Sequence, residues 1–150
     1  MNQFDAIEIL IVEDNPNDVE LTVRALREQN LANQIFIAED GEAALDFIFC
    51  RGKFSERKPC KPMKVVFLDL KLPKVSGLEV LKAIKTDERM KKLPVVIVTS
   101  SREDPDIDTA YALGANGYIV KPVQFDAFRQ AMSRAGLFWL LINEPPKVNF

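Results

Sequence analysis

Short apolar runs alternate along the chain with stretches in which apolar residues recur every three or four positions. Residues 7–12 are rich in β-branched side chains, the composition of a strand covered on both faces. Asn15-Pro16-Asn17-Asp18 then turns the chain into a helix, with Val19, Val23 and Leu26 on one face. A second strand is predicted over 34–38, and a second helix over 41–50 with Ala43, Ala44, Phe47 and Ile48 at helical spacing. The stretch Lys58-Pro59-Cys60-Lys61-Pro62 reads as loop. A third strand (65–68) precedes a helix over 77–86 whose Leu78, Leu81 and Ile84 face inward. Pro94 introduces a fourth strand (95–98), and Gly114 stops the helix over 106–113 that follows. A fifth strand (118–120) leads into a long helix over 124–142, and Pro145-Pro146 marks a tail over 143–150. Five strands alternating with five helices predict an α/β architecture with a doubly wound parallel sheet. Its crossovers are right-handed, and its site lies beyond the carboxyl ends of the strands.

Composition narrows the class. At 150 residues, 47% apolar and 28% charged, the chain is expected to be one soluble globular domain with its core over about 7–142 and no output domain. The apolar run at 9–12 is too short for a signal core and acids follow it; the run at 137–142 is far short of the roughly 20 residues of a membrane helix. A cytoplasmic location follows as an expectation. A net charge of −2 argues against bulk nucleic-acid binding, but it conceals a basic insert at 51–64, with six bases and one acid. That insert reads as a solvated loop. Cys50 and Cys60 flank it without metal or redox spacing and are expected as free thiols. The chain has no histidine, which excludes Ser-His-Asp and Cys-His catalysis and any role as phosphohistidine carrier.

Chemistry concentrates at the strand ends. Glu13 and Asp14 follow the first strand, Asp69 the third, Thr99 the fourth, and Lys121-Pro122 the fifth. A doubly wound sheet brings these ends together. Taken singly, each residue is unremarkable: a solvated turn, a helix cap, strand filler, a surface charge that adds little to folding. Together they place three carboxylates, a hydroxyl and an ammonium in one shallow site. Such carboxylates repel unless a cation is present or protons are retained. Hard oxygen donors suit Mg²⁺, which takes few protein ligands. Asp69 can then attack a phosphoryl group while Lys121 and Thr99 neutralise and bind its oxygens.

Four segments carry a resemblance: Ile9-Leu10-Ile11-Val12-Glu13-Asp14-Asn15, Asp69-Leu70-Lys71-Leu72-Pro73 with Gly77, Val98-Thr99-Ser100, and Gly117-Tyr118-Ile119-Val120-Lys121-Pro122. In this order and spacing they look like two-component receiver domains over about residues 7–136. The resemblance implies the flavodoxin-like receiver fold with strand order 2-1-3-4-5. It makes Asp69 the phosphoacceptor and has Glu13, Asp14, Asp69 and the backbone carbonyl of Lys71 hold Mg²⁺, or Mn²⁺ in its place. By the same resemblance Thr99 and Lys121 contact the phosphoryl group, Tyr118 is the switch aromatic, and the Lys121–Pro122 bond is cis. Lys71 stands where an uncharged residue is expected, which bears on metal affinity and phosphoryl lifetime. The insert and the chain end from Phe138 to Pro146 resemble the Rcp-type regulators that partner cyanobacterial phytochrome histidine kinases. The implied role is a non-enzymatic signalling protein, phosphorylated by a phytochrome-type sensor kinase, that acts through protein contact or onward phosphotransfer, without DNA or membrane.

Other functions are weaker on the residues. A flavin-binding electron carrier of the same topology needs a small-residue phosphate loop after the first strand, and here that loop is Glu13-Asp14-Asn15-Pro16. A phosphorylation-independent interaction module has no use for the acidic site, and an aspartyl phosphatase lacks its Asp-x-Asp. In the fifth helix Phe125, Phe128, Met132, Ala135, Trp139 and Ile142 form the stripe expected to face the sheet. Leu137, Phe138, Leu140 and Leu141 fill the other faces. This surplus predicts a homodimer through helix five and the tail, with Phe138 and Leu141 in its interface. The alternative folds the helix end under the basic segment or the tail.

Overall fold

In the computed structural model, which describes residues 3–30, 34–59 and 63–146, the apolar runs become five parallel strands. They are β1 (Ile9–Val12), β2 (Ile35–Ala38), β3 (Val65–Leu68), β4 (Val95–Thr99) and β5 (Gly117–Val120), in the order β2-β1-β3-β4-β5. The helices are α1 (Pro16–Glu28), α2 (Gly41–Ile48), α3 (Gly77–Thr86), α4 (Asp104–Ala112) and α5 (Phe125–Leu137). Strand parity divides the apolar runs between two cores. Ile9, Ile11, Val65, Phe67, Val96 and Val98 pack against Ala25 and Leu26 of α1 and Phe128 and Met132 of α5. Leu10, Val12, Val66, Leu68, Val95 and Ile97 pack against α2, α3 and Ala110 of α4. A strand buried on both faces needs no polar alternation, which is why these segments read as continuous runs.

Registry brings the strand ends level: Val12 pairs with Leu68, Leu68 with Ile97, and Thr99 with Val120. Side-chain caps fix three helix starts at that end. The Asn15 carboxamide accepts from the backbone N–H of Asn17 at 2.9 Å and of Asp18 at 3.3 Å, and Asp40 accepts from Ala43 at 2.7 Å. Ser76 and Glu79 complete a reciprocal capping box on α3.

The basic insert is not merely a solvated loop. A short 3₁₀ turn (Gly52–Phe54) sends Phe54 inward, where it is 3% exposed. Phe4, Phe36, Phe47 and Phe54 touch one another in every pairing, the Phe36 and Phe47 rings stacked at 4.3 Å. Arg57 is also buried: its guanidinium lies 4.0 Å above the Phe47 ring and donates to the carbonyls of Phe4 (3.1 Å) and Phe47 (2.9 Å). The Lys58 backbone N–H donates to Asp5 at 2.7 Å. The insert thus fastens the N-terminal segment across the amino-terminal end of the sheet. Cys50 is a free thiol, whereas Cys60 lies outside the described residues.

The fifth helix departs from the predicted regular helix over 124–142. It is α-helical to Leu137 and then widens into a π-helical turn (Phe138–Ile142), closed by the Asn143 N–H on the Phe138 carbonyl at 2.6 Å. More residues per turn keep Met132, Gly136 and Leu140, each four apart, on the sheet side. Leu140 is therefore 3% exposed, while Ile142, which regular helical spacing puts inward, is 70% exposed and Phe125 is 57% exposed. Lys64, at the end of the insert, pairs with Glu8 at 3.1 Å and reaches the Leu140 carbonyl at 3.4 Å. Phe138, Leu141 and Ile142 nonetheless stay exposed. Of the predicted tail, 143–146 are described and 147–150 lie outside the described residues.

Candidate phosphoacceptor site

The site forms where β1 and β3 end side by side. Asp69 donates its backbone N–H to the Val12 carbonyl at 3.0 Å, which places its side chain beside Glu13 and Asp14. Glu13, Asp14 and Asp69 each offer a carboxylate oxygen within 4.8 Å of the others. Glu13 and Asp69 are buried and Asp14 is exposed, so the cluster opens outward through Asp14. Gly77 lets α3 close on this strand end, since a β-carbon there would lie 2.1 Å from the Asp69 carbonyl oxygen. Lys74, in the loop between, adopts φ +66°, a conformation that L side chains rarely take.

Lys121 enters from the end of β5, where its backbone N–H donates to the Thr99 carbonyl at 2.7 Å. Its ammonium donates to Asp69 Oδ2 at 2.9 Å, to Asp18 Oδ2 at 2.9 Å and, in a short contact, to Glu13 Oε1. The Lys121 side chain is 10% exposed, which corrects the expected exposed surface ammonium. Converging carboxylates hold it inside, since burial alone disfavours a charge. The Lys121–Pro122 peptide is trans, not the expected cis; the two isomers of a prolyl bond lie within about 1 kcal/mol, so local packing decides between them.

Burial pushes the Glu13 carboxyl up to about 7; the Asp69 charge adds to this and the Lys121 hydrogen bond opposes it. Burial lowers the Lys121 ammonium, but its hydrogen bonds to Glu13, Asp18 and Asp69 outweigh that and leave it raised. Protons and Lys121 thus offset part of a negative charge that a divalent cation would neutralise. The residues fit such a cation: hard oxygens converge, and Glu20 and Glu39 stand with Glu13 and Asp14 around a neighbouring surface cavity. Thr99 is wholly buried, and its hydroxyl has no hydrogen-bond partner among the described residues. A buried hydroxyl without a hydrogen bond costs free energy, so this position carries a cost that packing alone does not explain. Tyr118 donates its hydroxyl to the Ser101 carbonyl at 2.9 Å, and Ser101 donates its own to Asp106 at 2.5 Å.

This geometry has counterparts. Residues 9–133 match the family model of the response regulator receiver domain. The chain belongs to that family. The receiver is 37% identical over 142 residues to the probable methanogenesis regulatory protein FilR2 of Methanothrix harundinacea, covering 95% of this chain and 89% of that one. It is 34% identical over 132 residues to the response regulator Rcp1 of Synechocystis sp., covering 88% of each. Among solved structures, Mn²⁺-bound Rcp1 superposes with a TM-score of 0.86 at 31% identity, over 93% of this chain and 98% of that one. The phosphorylated cyanobacterial phytochrome response regulator RcpA gives 0.86 at 30%, over 95% and 100%. The bacteriophytochrome response regulator AtBRR gives 0.70 at 49%, over 91% and 96%.

Within the receiver, Glu13, Asp14, Asp69 and Lys121 gather as the strand ends implied, with Thr99 at the end of the adjoining strand and Tyr118 one strand further out. Lys71 is solvent-exposed, its backbone N–H donating to Asp69 Oδ1 at 3.4 Å. Phe138 and Leu141 are remote in the chain, on the π-helical turn. Sequence reasoning missed Asp18, which it assigned only to a helix-starting turn. A third acid in the six residues from Glu13 to Asp18 was the signal. Among the described residues no helix is long and apolar enough to cross a membrane.

Proposed function

We propose that this receiver accepts a phosphoryl group on Asp69 from a sensor histidine kinase, as a response regulator does. The observation carrying this is Lys121 Nζ at 2.9 Å from Asp69 Oδ2, just past the strand that pairs with Thr99, whose buried hydroxyl has no partner among the described residues. A carboxylate oxygen of Asp69 forms the new O–P bond. The N–P bond to the partner's imidazole breaks, and its electron pair leaves with the imidazole. Lys121 and Thr99 bind the transferred oxygens. Glu13, Asp14, Asp69 and the Lys71 carbonyl would hold Mg²⁺, or Mn²⁺ in its place, and the bound ion would supply positive charge to the phosphoryl oxygens. Tyr118 reads the change through its bond to the Ser101 carbonyl. The protein works in the cytoplasm and catalyses nothing beyond its own phosphorylation and dephosphorylation.

The likeness to RcpA and AtBRR supports a phytochrome-type kinase as the donor. The exposed Phe138 (45%) and Leu141 (63%) support a homodimer through the end of the fifth helix. Sedimentation of the full chain should show a dimer that Phe138→Ser with Leu141→Ser dissociates; a monomeric unaltered protein refutes the dimer. For the central reading, incubation with acetyl phosphate and Mg²⁺ should add one phosphoryl group to the intact mass. Asp69→Asn should abolish the addition, and labelling that persists in that variant refutes the assignment.

A further inference from the structure

Lys121 has three carboxylate partners, and only two of them belong to the metal cluster. Glu13 and Asp69 are the shared ones: a bound cation draws on both, and Asp69 is also the atom donor for the new O–P bond. The third, Asp18, stands outside the cluster on the first turn of α1, its backbone N–H held by the Asn15 cap at 3.3 Å. An ammonium has three protons to donate on a flexible four-carbon stem. Once metal and phosphoryl group claim Glu13 and Asp69, Asp18 is the described partner left to hold that stem in place. Resting on the phosphoacceptor reading above, we infer that Asp18 is a positioning residue for phosphoryl transfer. It tethers Lys121 so that a freed N–H points at the transferring oxygens, and touches neither metal nor phosphoryl group itself.

The test follows phosphorylation by acetyl phosphate at saturating Mg²⁺. Asp69 forms the O–P bond, and the P–O bond to acetate breaks with its electron pair leaving on acetate. Removing one charge-assisted hydrogen bond that orients Lys121 should slow labelling about tenfold in Asp18→Ala. Asp18→Asn, which keeps size and an acceptor, should fall between and also shows whether folding is at fault, since both variants should melt near the unaltered protein. Mg²⁺ affinity, measured by calorimetry, should change several-fold less than the rate. In a Lys121→Ala background, Asp18→Ala should have no further effect, an outcome that a merely structural role would not produce. The inference is overturned if Asp18→Ala labels at the normal rate, if excess Mg²⁺ restores it, or if its deficit persists undiminished without Lys121. Absence of labelling in the unaltered protein overturns the phosphoacceptor reading as well, so the two failures are distinct.

Discussion

At the amino-terminal end of the sheet four phenylalanine rings enclose one another, and the buried Arg57 spends its charge on a ring face and two carbonyls. Lys85, near the same end, donates to the carbonyls of Lys91 and Leu93 and to Asn116, at 3.0, 2.7 and 2.9 Å. At the carboxyl end, Glu13, Asp18 and Asp69 converge on one ammonium with Asp14 beside them, and the buried Thr99 hydroxyl has no hydrogen-bond partner among the described residues. The strands are the same, and so is the backbone pairing. One end therefore ties its charged side chains to ring faces and carbonyls and buries its apolar area, while the other sets neighbouring carboxylates against one another, offset by Lys121 and by a proton held on Glu13. The difference separates stability from function along one sheet.

If that separation is real, substitutions at the two ends should respond differently to metal. Phe54→Ala empties the centre of the ring cluster and should cost about 3–5 kcal/mol by chemical denaturation, with or without Mg²⁺. Lys121→Ala leaves Glu13 and Asp69 facing each other unneutralised and should cost about 3 kcal/mol in metal-free buffer at pH 8. Millimolar Mg²⁺ should recover most of the second loss and none of the first. Equal recovery, or none in either, breaks the comparison.

Smaller effects sharpen it. The Glu13 carboxyl, raised to about 7, is protonated below that pH in the metal-free protein, and a protonated carboxyl cannot serve the cation. Apparent Mg²⁺ affinity should fall by up to about tenfold per pH unit below 7 and level off above it, a profile that Glu13→Gln flattens. The sign for folding follows from the same shift. Folded metal-free protein binds more protons at Glu13 than the unfolded chain between about 4.5 and 7, so this group's contribution is lost as pH rises through that window. Calorimetry across pH checks both. Smallest is Ser76→Ala, which removes the cap that starts α3 beside the site and should cost about 1 kcal/mol in thermal unfolding without altering Mg²⁺ affinity.

Element order, the parallel sheet and the grouping of Glu13, Asp14, Asp69 and Lys121 were legible in the sequence because each rests on local period plus a topological rule. Apolar runs mark buried strands, and the rule brings their ends together. What it could not assign was how surplus residues are employed. Phe54 and Arg57 look like any loop residues until Phe4, distant in sequence, supplies a ring and a carbonyl. Ile142 and Leu140 exchange places because a π turn shifts the phase of the helix, which no window of hydropathy reveals. Lys121 becomes buried only when acids from α1, β1 and β3 converge on it, and Asp18 joins the site only through that convergence. Periodicity is a property of neighbours along the chain, whereas burial of charge is set by partners far apart in sequence that only the closed sheet assembles.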